Sequence, residues 1–348
     1  MSTPIRFAII GLDHWYTAIS LAEEMASHPD IELVGIAHDD KDRAQEVAAK
    51  AGNPTVSTDP ATFLNDPSID AIGSFVSVDR NPDIVIAAAR ASKHILSIKP
   101  LARTLDEATQ IVRAVREADV AFIPAETRAR ENDQNQHLLS LVRGGKLGRI
   151  VSGNFTLSSG LPKGWPDAAA DGGWWADPER APGGGWIDHS IYQIDLLRWL
   201  LGERVVAVSG RTANLVHRDL GVEDYGHATI EFEGGAIFSV EDTWSGPAGG
   251  WHVTSSLVGS EGAVSIDSAT GTIATFGVET GTQGWSHAPL AEDTSDRIGP
   301  IVSRIRGEQT ALGTVEDAWE NLAVTTAFYE AAANGSVVSP RKLTDEVE

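Results

Sequence analysis

The sequence predicts an α/β chain in two parts, a doubly wound parallel sheet followed by an α+β domain with a large, mostly antiparallel sheet. Three observations predict it. A nearly continuous apolar run, residues 5–10, ends at Gly11, as a strand buried on both faces of a parallel sheet does. Short apolar runs then alternate with helical periodicity up to about residue 124, the pattern of a doubly wound sheet. Further on, over 204–282, short runs such as Ala236-Ile237-Phe238-Ser239-Val240 are separated by glycines, as antiparallel strands with one covered face are.

The elements follow in order. After Gly11 a helix presents Ala18, Leu21, Ala22 and Met25 on one face. Strands are expected at 31–37, 71–76, 94–97 and 120–123, with helices at 41–51, 82–92 and 105–117 between them. A helix around Leu138, Leu139 and Val142 stops at Gly144-Gly145, and a strand covers 150–157. A Gly/Pro/Trp-rich loop spans 158–185, a helix 188–201 and a last helix 315–334. The domains are drawn at 1–124 and 125–348. No repeat or low-complexity linker separates them, so close packing is expected.

The chain has 348 residues, enough for two ordinary domains. Its 49 acidic against 27 basic residues, a net charge of -22, argue against nucleic acid or an anionic membrane as partner. There is no cysteine, which excludes disulfides, thiolate catalysis and sulfur-ligated metal. The first apolar run is too short for a signal-peptide core, and no stretch approaches the roughly 18 apolar residues of a membrane span. A cytoplasmic protein is expected.

The first turn carries the first chemical information. A dinucleotide fold wants three glycines there, for the bend, for close approach to pyrophosphate and for helix packing. Only Gly11 is present; Asp13 and Tyr16 stand at the other two positions. A carboxylate about 5 Å from a phosphate charge, at an effective dielectric of about 20, costs roughly 3 kcal/mol. Asp13 reads either as a helix N-cap that fills the protein's own anion site or, with His14, as a ligand contact. His38, followed by Asp39, ends the second strand where a ribose-binding acid is expected; an ordinary polar turn is the other reading.

Two stretches, Lys93-His94-Ile95-Leu96-Ser97-Ile98-Lys99-Pro100-Leu101-Ala102 and the run from Gly183-Gly184-Gly185-Trp186-Ile187-Asp188-His189 through Tyr192 to Gly202, resemble the glucose-fructose oxidoreductase and inositol dehydrogenase (Gfo/Idh/MocA) family. Gly144-Gly145-Lys146-Leu147-Gly148-Arg149-Ile150 and the closing helix extend the resemblance over nearly the whole chain. It implies a Rossmann domain, a C-terminal open sheet that often forms the oligomer interface, and NAD(P)-dependent hydride transfer on sugars, cyclitols or related polyols. A homo-oligomer, dimer or tetramer, is implied with it. The family's lysine follows a glutamate in Glu-Lys-Pro; here Ile98 precedes Lys99. Its Asp-x-Gly-x-His motif matches at Asp188, with Ser190 for the glycine and Tyr192 for the histidine. Asp188 and Tyr192, four apart, share a helix face.

The resemblance assigns Lys99 to polarise or deprotonate a hydroxyl, Tyr192 to transfer a proton and Asp188 to orient substrate, with His189 as a further catalytic candidate. A lysine serves as base only where burial or a cation lowers its pKa. On the cofactor side Ser77 and Asn81 replace the family's proline and histidine, joining Gly11, Asp13, His14, His38, Asp39 and Lys99 as candidate contacts. Arg130 stands where relatives carry a cleft arginine, and Trp165, Trp174, Trp175 and Trp186 offer rings for stacking on a sugar. No His-Glu-x-x-His spacing is present; a set from Glu126, Asp188, His189 and Glu241 is the only metal alternative, and no metal is expected. The leading expectation is an NAD(P)-dependent oxidoreductase of a sugar-like substrate. The alternatives are a non-redox acid-base enzyme on the same scaffold, with cofactor absent or vestigial, and a non-catalytic partner or sensor subunit.

Overall fold

The computed structural model describes residues 3–278 and 284–346. The end of the expected strand region, 279–282, lies outside the described residues. The first half runs β1 (Ile5–Ile10), α1 (Trp15–Ser27), β2 (Ile31–Ala37), α2 (Lys41–Lys50), β3 (Thr55–Ser57), α3 (Ala61–Leu64), β4 (Ala71–Ser74), α4 (Asn81–Arg90), β5 (His94–Ser97), α5 (Leu105–Ala118) and β6 (Phe122–Pro124). These six strands form one parallel sheet in the order β3-β2-β1-β4-β5-β6. The order reverses between β1 and β4, and ligands of such sheets bind in the crevice outside the carboxyl ends of the strands at that point. The short β3 and α3 were not among the expected elements; three- and four-residue segments are too brief to show a period.

The second half runs α6 (Asp133–Arg143), β7 (Ile150–Ser158), α7 (Gly185–Leu201), β8 (Val205–Ala213), β9 (Tyr225–Phe232), β10 (Ile237–Thr243), β11 (His252–Gly259), β12 (Ala263–Asp267), β13 (Thr272–Phe276), β14 (Trp285–Pro289), α8 (Gly299–Ile305) and α9 (Val315–Asn334). Among the described residues its sheet has eight strands, β14-β13-β12-β11-β7-β10-β9-β8. All pairs are antiparallel except β7 with β10. Register puts Phe155, Leu157, Val253, Ser255 and Ile266 on one face, since Leu157 pairs with Val253 and Ser255 with both Phe155 and Ile266. That face meets α6 and α7.

The end of the chain belongs to both halves. Val315, Ala318, Trp319, Leu322 and Ala323 of α9 join one core layer of the parallel sheet, and Ile301 and Val302 of α8 join the other. Trp319 Nε1 donates to Thr109 Oγ1 at 2.9 Å, while Val324, Ala327 and Phe328 of the same helix lie in the core of the second sheet. The division at residue 124 therefore separates the sheets but not the cores. A capping box, Thr314 with Asp317, starts α9, and Gly335 in the left-handed conformation ends it.

Candidate functional site

The N-terminus of α7 is held by packing that only glycine permits. A Cβ at Gly184 would lie 2.1 Å from the Glu223 carbonyl oxygen, and one at Gly183 2.0 Å from the Tyr329 hydroxyl. The buried Glu223 carboxylate accepts from the backbone N–H of Gly184 and Trp186 and from the Tyr329 hydroxyl. A carboxylate at the positive end of a helix is favourable. Asp242, on β10, accepts from the His189 N–H at 2.8 Å. The first turn of α7 is thus fixed from two sides, and Asp188 and His189 with it.

Lys99 meets that turn from the parallel sheet. It lies two residues beyond β5 and is 1 % exposed; the Lys99–Pro100 peptide is cis. Its Nζ donates to Asp188 Oδ1 at 2.6 Å and to the Asp188 carbonyl oxygen. Trp244 Nε1 donates to the other carboxylate oxygen, Oδ2, at 3.0 Å. Nζ also lies 5.3 Å from the centre of the Tyr192 ring. The structure thus brings together Lys99, Asp188, His189 and Tyr192.

Charge is divided clearly among them. Burial works against charge on Lys99, but the charge and hydrogen bond of Asp188, together with Tyr16 and Tyr192, outweigh it and hold the ammonium above the ordinary lysine range. Burial likewise works against charge on Asp188. His189 and Lys99 oppose it and keep the carboxyl well below its usual range. At neutral pH His189 is uncharged, so the ammonium does the holding: burial and Lys99 push His189 down to about 4 against the pull of Asp188. Burial raises Tyr192, and burial with Asp188 raises Asp242 well above the carboxylate range. The condition for a basic Lys99, a lowered pKa, is not met.

Asp188, His189 and Tyr192 line a cavity of about 800 Å³ between the two halves, whose walls include Tyr16, Trp175, Gln193 and Trp251. A cavity of about 930 Å³ opens elsewhere, near Arg116, Arg198, Arg204 and Arg341. Those arginines are paired with Glu316, Glu320, Glu233 and Glu346, whereas Asp188, the partner of the buried Lys99, lines the cavity of about 800 Å³, which we therefore take as the site.

Several expected contacts lie elsewhere, for visible reasons. Arg130 does not reach the cavity: its guanidinium holds Asp195 at 2.9 and 2.5 Å and Asp317 at 3.3 Å in a buried network. Trp186 is a core residue, stacked on Phe328 and donating to the Val240 carbonyl. Asn81 is spent internally, accepting from Ser74 Oγ and donating to Ser97 Oγ and the Leu101 carbonyl. Trp165 lies on the cofactor side, stacked on His38 with the Arg43 guanidinium 4.7 Å from its ring. Trp174 packs on His14 and donates to the Asp13 carbonyl. Of the four expected tryptophans only Trp175 lines the cavity. Among the described residues no three His, Asp or Glu side chains converge as metal ligands; Glu126 is turned to Asn321 and Glu241 to the Tyr225 hydroxyl.

Asp13 is not the helix cap. His14 holds that position without a side-chain bond, and Asp13 Oδ2 instead accepts from the Ser77 N–H at 2.9 Å. Ser77 Oγ in turn accepts from Arg180 at 2.7 Å. His38 Nδ1 accepts from the Leu12 N–H at 3.3 Å, and Asp39 pairs with Arg80 at 2.7 Å. The crevice between β1, β2 and β4 is narrow here, about 10 Å³. The backbone cradle nevertheless fits a dinucleotide. Gly11 has φ of +85°, and a Cβ there would stand 2.5 Å from the Val76 nitrogen, so the turn is pressed together as such folds require. Asp13 and Tyr16, at the two other glycine positions of the turn, are the misfits, and only Asp13 carries a charge.

Sequence reasoning missed Tyr16, Asp242, Trp244 and Trp251. The Tyr16 hydroxyl bonds His14 Nδ1 at 3.0 Å and its ring borders the cavity; in the sequence it registered only as a lost glycine. Asp242 had a signal: it continues the covered-face alternation of Phe238 and Val240, where a carboxylate is out of place.

The comparisons with known proteins agree with this architecture. Residues 5–126 match the model of the oxidoreductase family with an NAD-binding Rossmann fold, and residues 135–265 that of the GFO/IDH/MocA C-terminal domain. The chain is 30% identical over 280 residues to scyllo-inositol 2-dehydrogenase (NAD(+)) of Bacillus subtilis, covering 76% of this chain and 75% of that protein. It is 27% identical over 284 residues to myo-inositol 2-dehydrogenase of Thermotoga maritima, covering 80% of each. In fold it is similar to levoglucosan dehydrogenase solved with NADH, with a TM-score of 0.84 at 21% identity over 98% of this chain and 100% of the other. The chain belongs to the Gfo/Idh/MocA oxidoreductase family.

Proposed function

We propose that this chain is an NAD(P)-dependent oxidoreductase interconverting an alcohol and a carbonyl on a sugar, cyclitol or related polyol. The observation that carries the reading is the buried Lys99–Asp188 pair, beyond the carboxyl end of β5 and beside the cavity. Family membership and the sugar and cyclitol dehydrogenases similar to it support the same reading. Gly11, His38, Asp39 and Ser77 would hold the dinucleotide. When bound, its nicotinamide ring exchanges a hydride with a substrate carbon.

The chain's own residues manage the proton and the charge. Lys99, kept as an ammonium, donates to the substrate oxygen and stabilises negative charge developing there. Asp188 holds that ammonium in place. Tyr192, protonated at neutral pH, gives its proton in carbonyl reduction, and in alcohol oxidation the neutral His189 takes the hydroxyl proton. His189 is neutral, and its buried Nδ1 faces Asp188 Oδ2 at 3.5 Å and Asp242 Oδ2 at 3.8 Å, which favours the proton on that nitrogen and leaves Nε2 to accept from a substrate hydroxyl. Purified protein with NAD+ or NADP+ and a panel of inositols, hexoses, pentoses and anhydrosugars, followed at 340 nm, tests this. Turnover with at least one is expected, falling about 10²- to 10⁴-fold in Lys99→Met. No reduction of either nicotinamide, and no oxidation of NAD(P)H with the matching keto-sugars, would overturn it.

The oligomer belongs to the same proposal. Ile237, Val258, Phe276 and Trp285 are exposed and fall in one cross-strand row on the sheet face away from α7. An apolar row of that kind marks an interaction surface, and self-association through it fits the family.

A further inference from the structure

We propose that the cavity contains a second subsite, for an apolar substituent of the substrate, so that the preferred substrates are glycosides with an aryl or branched-alkyl aglycone. The inference rests on the oxidoreductase reading and narrows its substrate class. Asp188, Tyr192 and Leu196 succeed one another at four-residue steps along one face of α7, and all three line the cavity. At about 1.5 Å per residue, the chemistry of that face changes from carboxylate to phenol to aliphatic over roughly 12 Å.

The floor changes in the same way. Phe155, Leu157, Val253 and Ile266 lie side by side on the helix-facing side of the sheet and line the cavity beyond the polar cluster. The Trp251 ring, 55 % exposed, stands at the rim with its centre 4.8 Å from that of His189. The volume of about 800 Å³ lies in the upper part of the range of about 300–1,000 Å³ that takes drug-sized ligands. A free cyclitol carries a hydroxyl on every carbon, and those set against Phe155, Leu157, Val253 and Ile266, among which Ser255 offers a single hydroxyl, would lose hydrogen bonds to water. A ring or branched chain without hydroxyls has no such loss.

Calorimetric binding of 4-nitrophenyl and methyl glycosides of glucose, galactose and xylose, in both anomeric forms, tests the subsite. In at least one pair the aryl glycoside is expected to bind about tenfold or more tightly. That preference should fall toward one in Val253→Thr, a near-isosteric change in the floor, and in Trp251→Ala at the exposed rim. Equal or absent binding in every pair, or a preference untouched by both variants, would overturn the subsite. Turnover assays on the same compounds separate the two levels. Aryl preference in binding without nicotinamide reduction supports the subsite and sinks the redox reading. Turnover of free sugars without aryl preference does the reverse.

Discussion

Among single residues, two carboxylates in unlike settings govern the site. Asp188 is paired with a buried ammonium, and removing one partner of such a pair leaves an uncompensated buried charge, a loss of about 3–5 kcal/mol. Lys99→Met should therefore lower stability in urea unfolding by about that amount, and adding Asp188→Asn should restore much of it. Equal losses in both single variants with no recovery in the double would contradict the pairing. Asp13 sits in the phosphate loop, bound to the Ser77 N–H. Asp13→Asn keeps an acceptor for that N–H and removes the charge, so dinucleotide affinity should rise by up to about two powers of ten, read by nicotinamide fluorescence. The charge conflict at Asp13 was legible from its place in the loop. Its partner was not, because Ser77 is 64 residues away.

At the scale of elements, α7 carries the site and the residues before it hold α7 in place. Because a Cβ at Gly184 would meet backbone at 2.1 Å, Gly184→Ala should lower the melting temperature and displace Asp188, reducing kcat more than KM for substrate. A variant with normal kcat would show that the loop yields. The alternation of β1, β2, β4, β5 and β6 with the longer helices was legible because apolar runs and helical faces are local patterns, whereas β3 and α3 are too short to show one. The placement of the tryptophans was not. Trp165, Trp174, Trp175 and Trp186 read alike in sequence, yet they end on His38, on His14, at the cavity and in the core respectively. A glycine- and proline-rich loop carries no period from which its path can be inferred.

At the scale of the whole molecule, the parallel and antiparallel sheets are joined by a buried polar network around Glu126, Arg130, Asp195, Arg198 and Asn321. Burial and Asp195 push Glu126 up to about 8. The folded chain then keeps a proton that the unfolded chain releases near pH 4.3, so stability falls as pH rises from there to about 8. Glu126→Gln should remove that slope and stabilise the protein at pH 8 by up to about 5 kcal/mol, with little effect near pH 4. His14 and His189 act oppositely: both are held below the ordinary histidine range, so stability from them is lost as pH falls below about 6.5. Unfolding curves of both proteins between pH 4.5 and 8.5 separate the contributions. Arg130 was read as a cleft residue because its position along the chain is the only property visible before Asp195 and Asp317 are brought to it.

The proposed function requires a nicotinamide dinucleotide to bind at the carboxyl end of the parallel sheet despite Asp13. Titration of the purified protein with NADH and NADPH, followed by nicotinamide fluorescence, tests it most directly. Saturable binding of at least one, tighter in Asp13→Asn, is the predicted result; no binding of either at millimolar concentration, in the wild type and the variant alike, would contradict it.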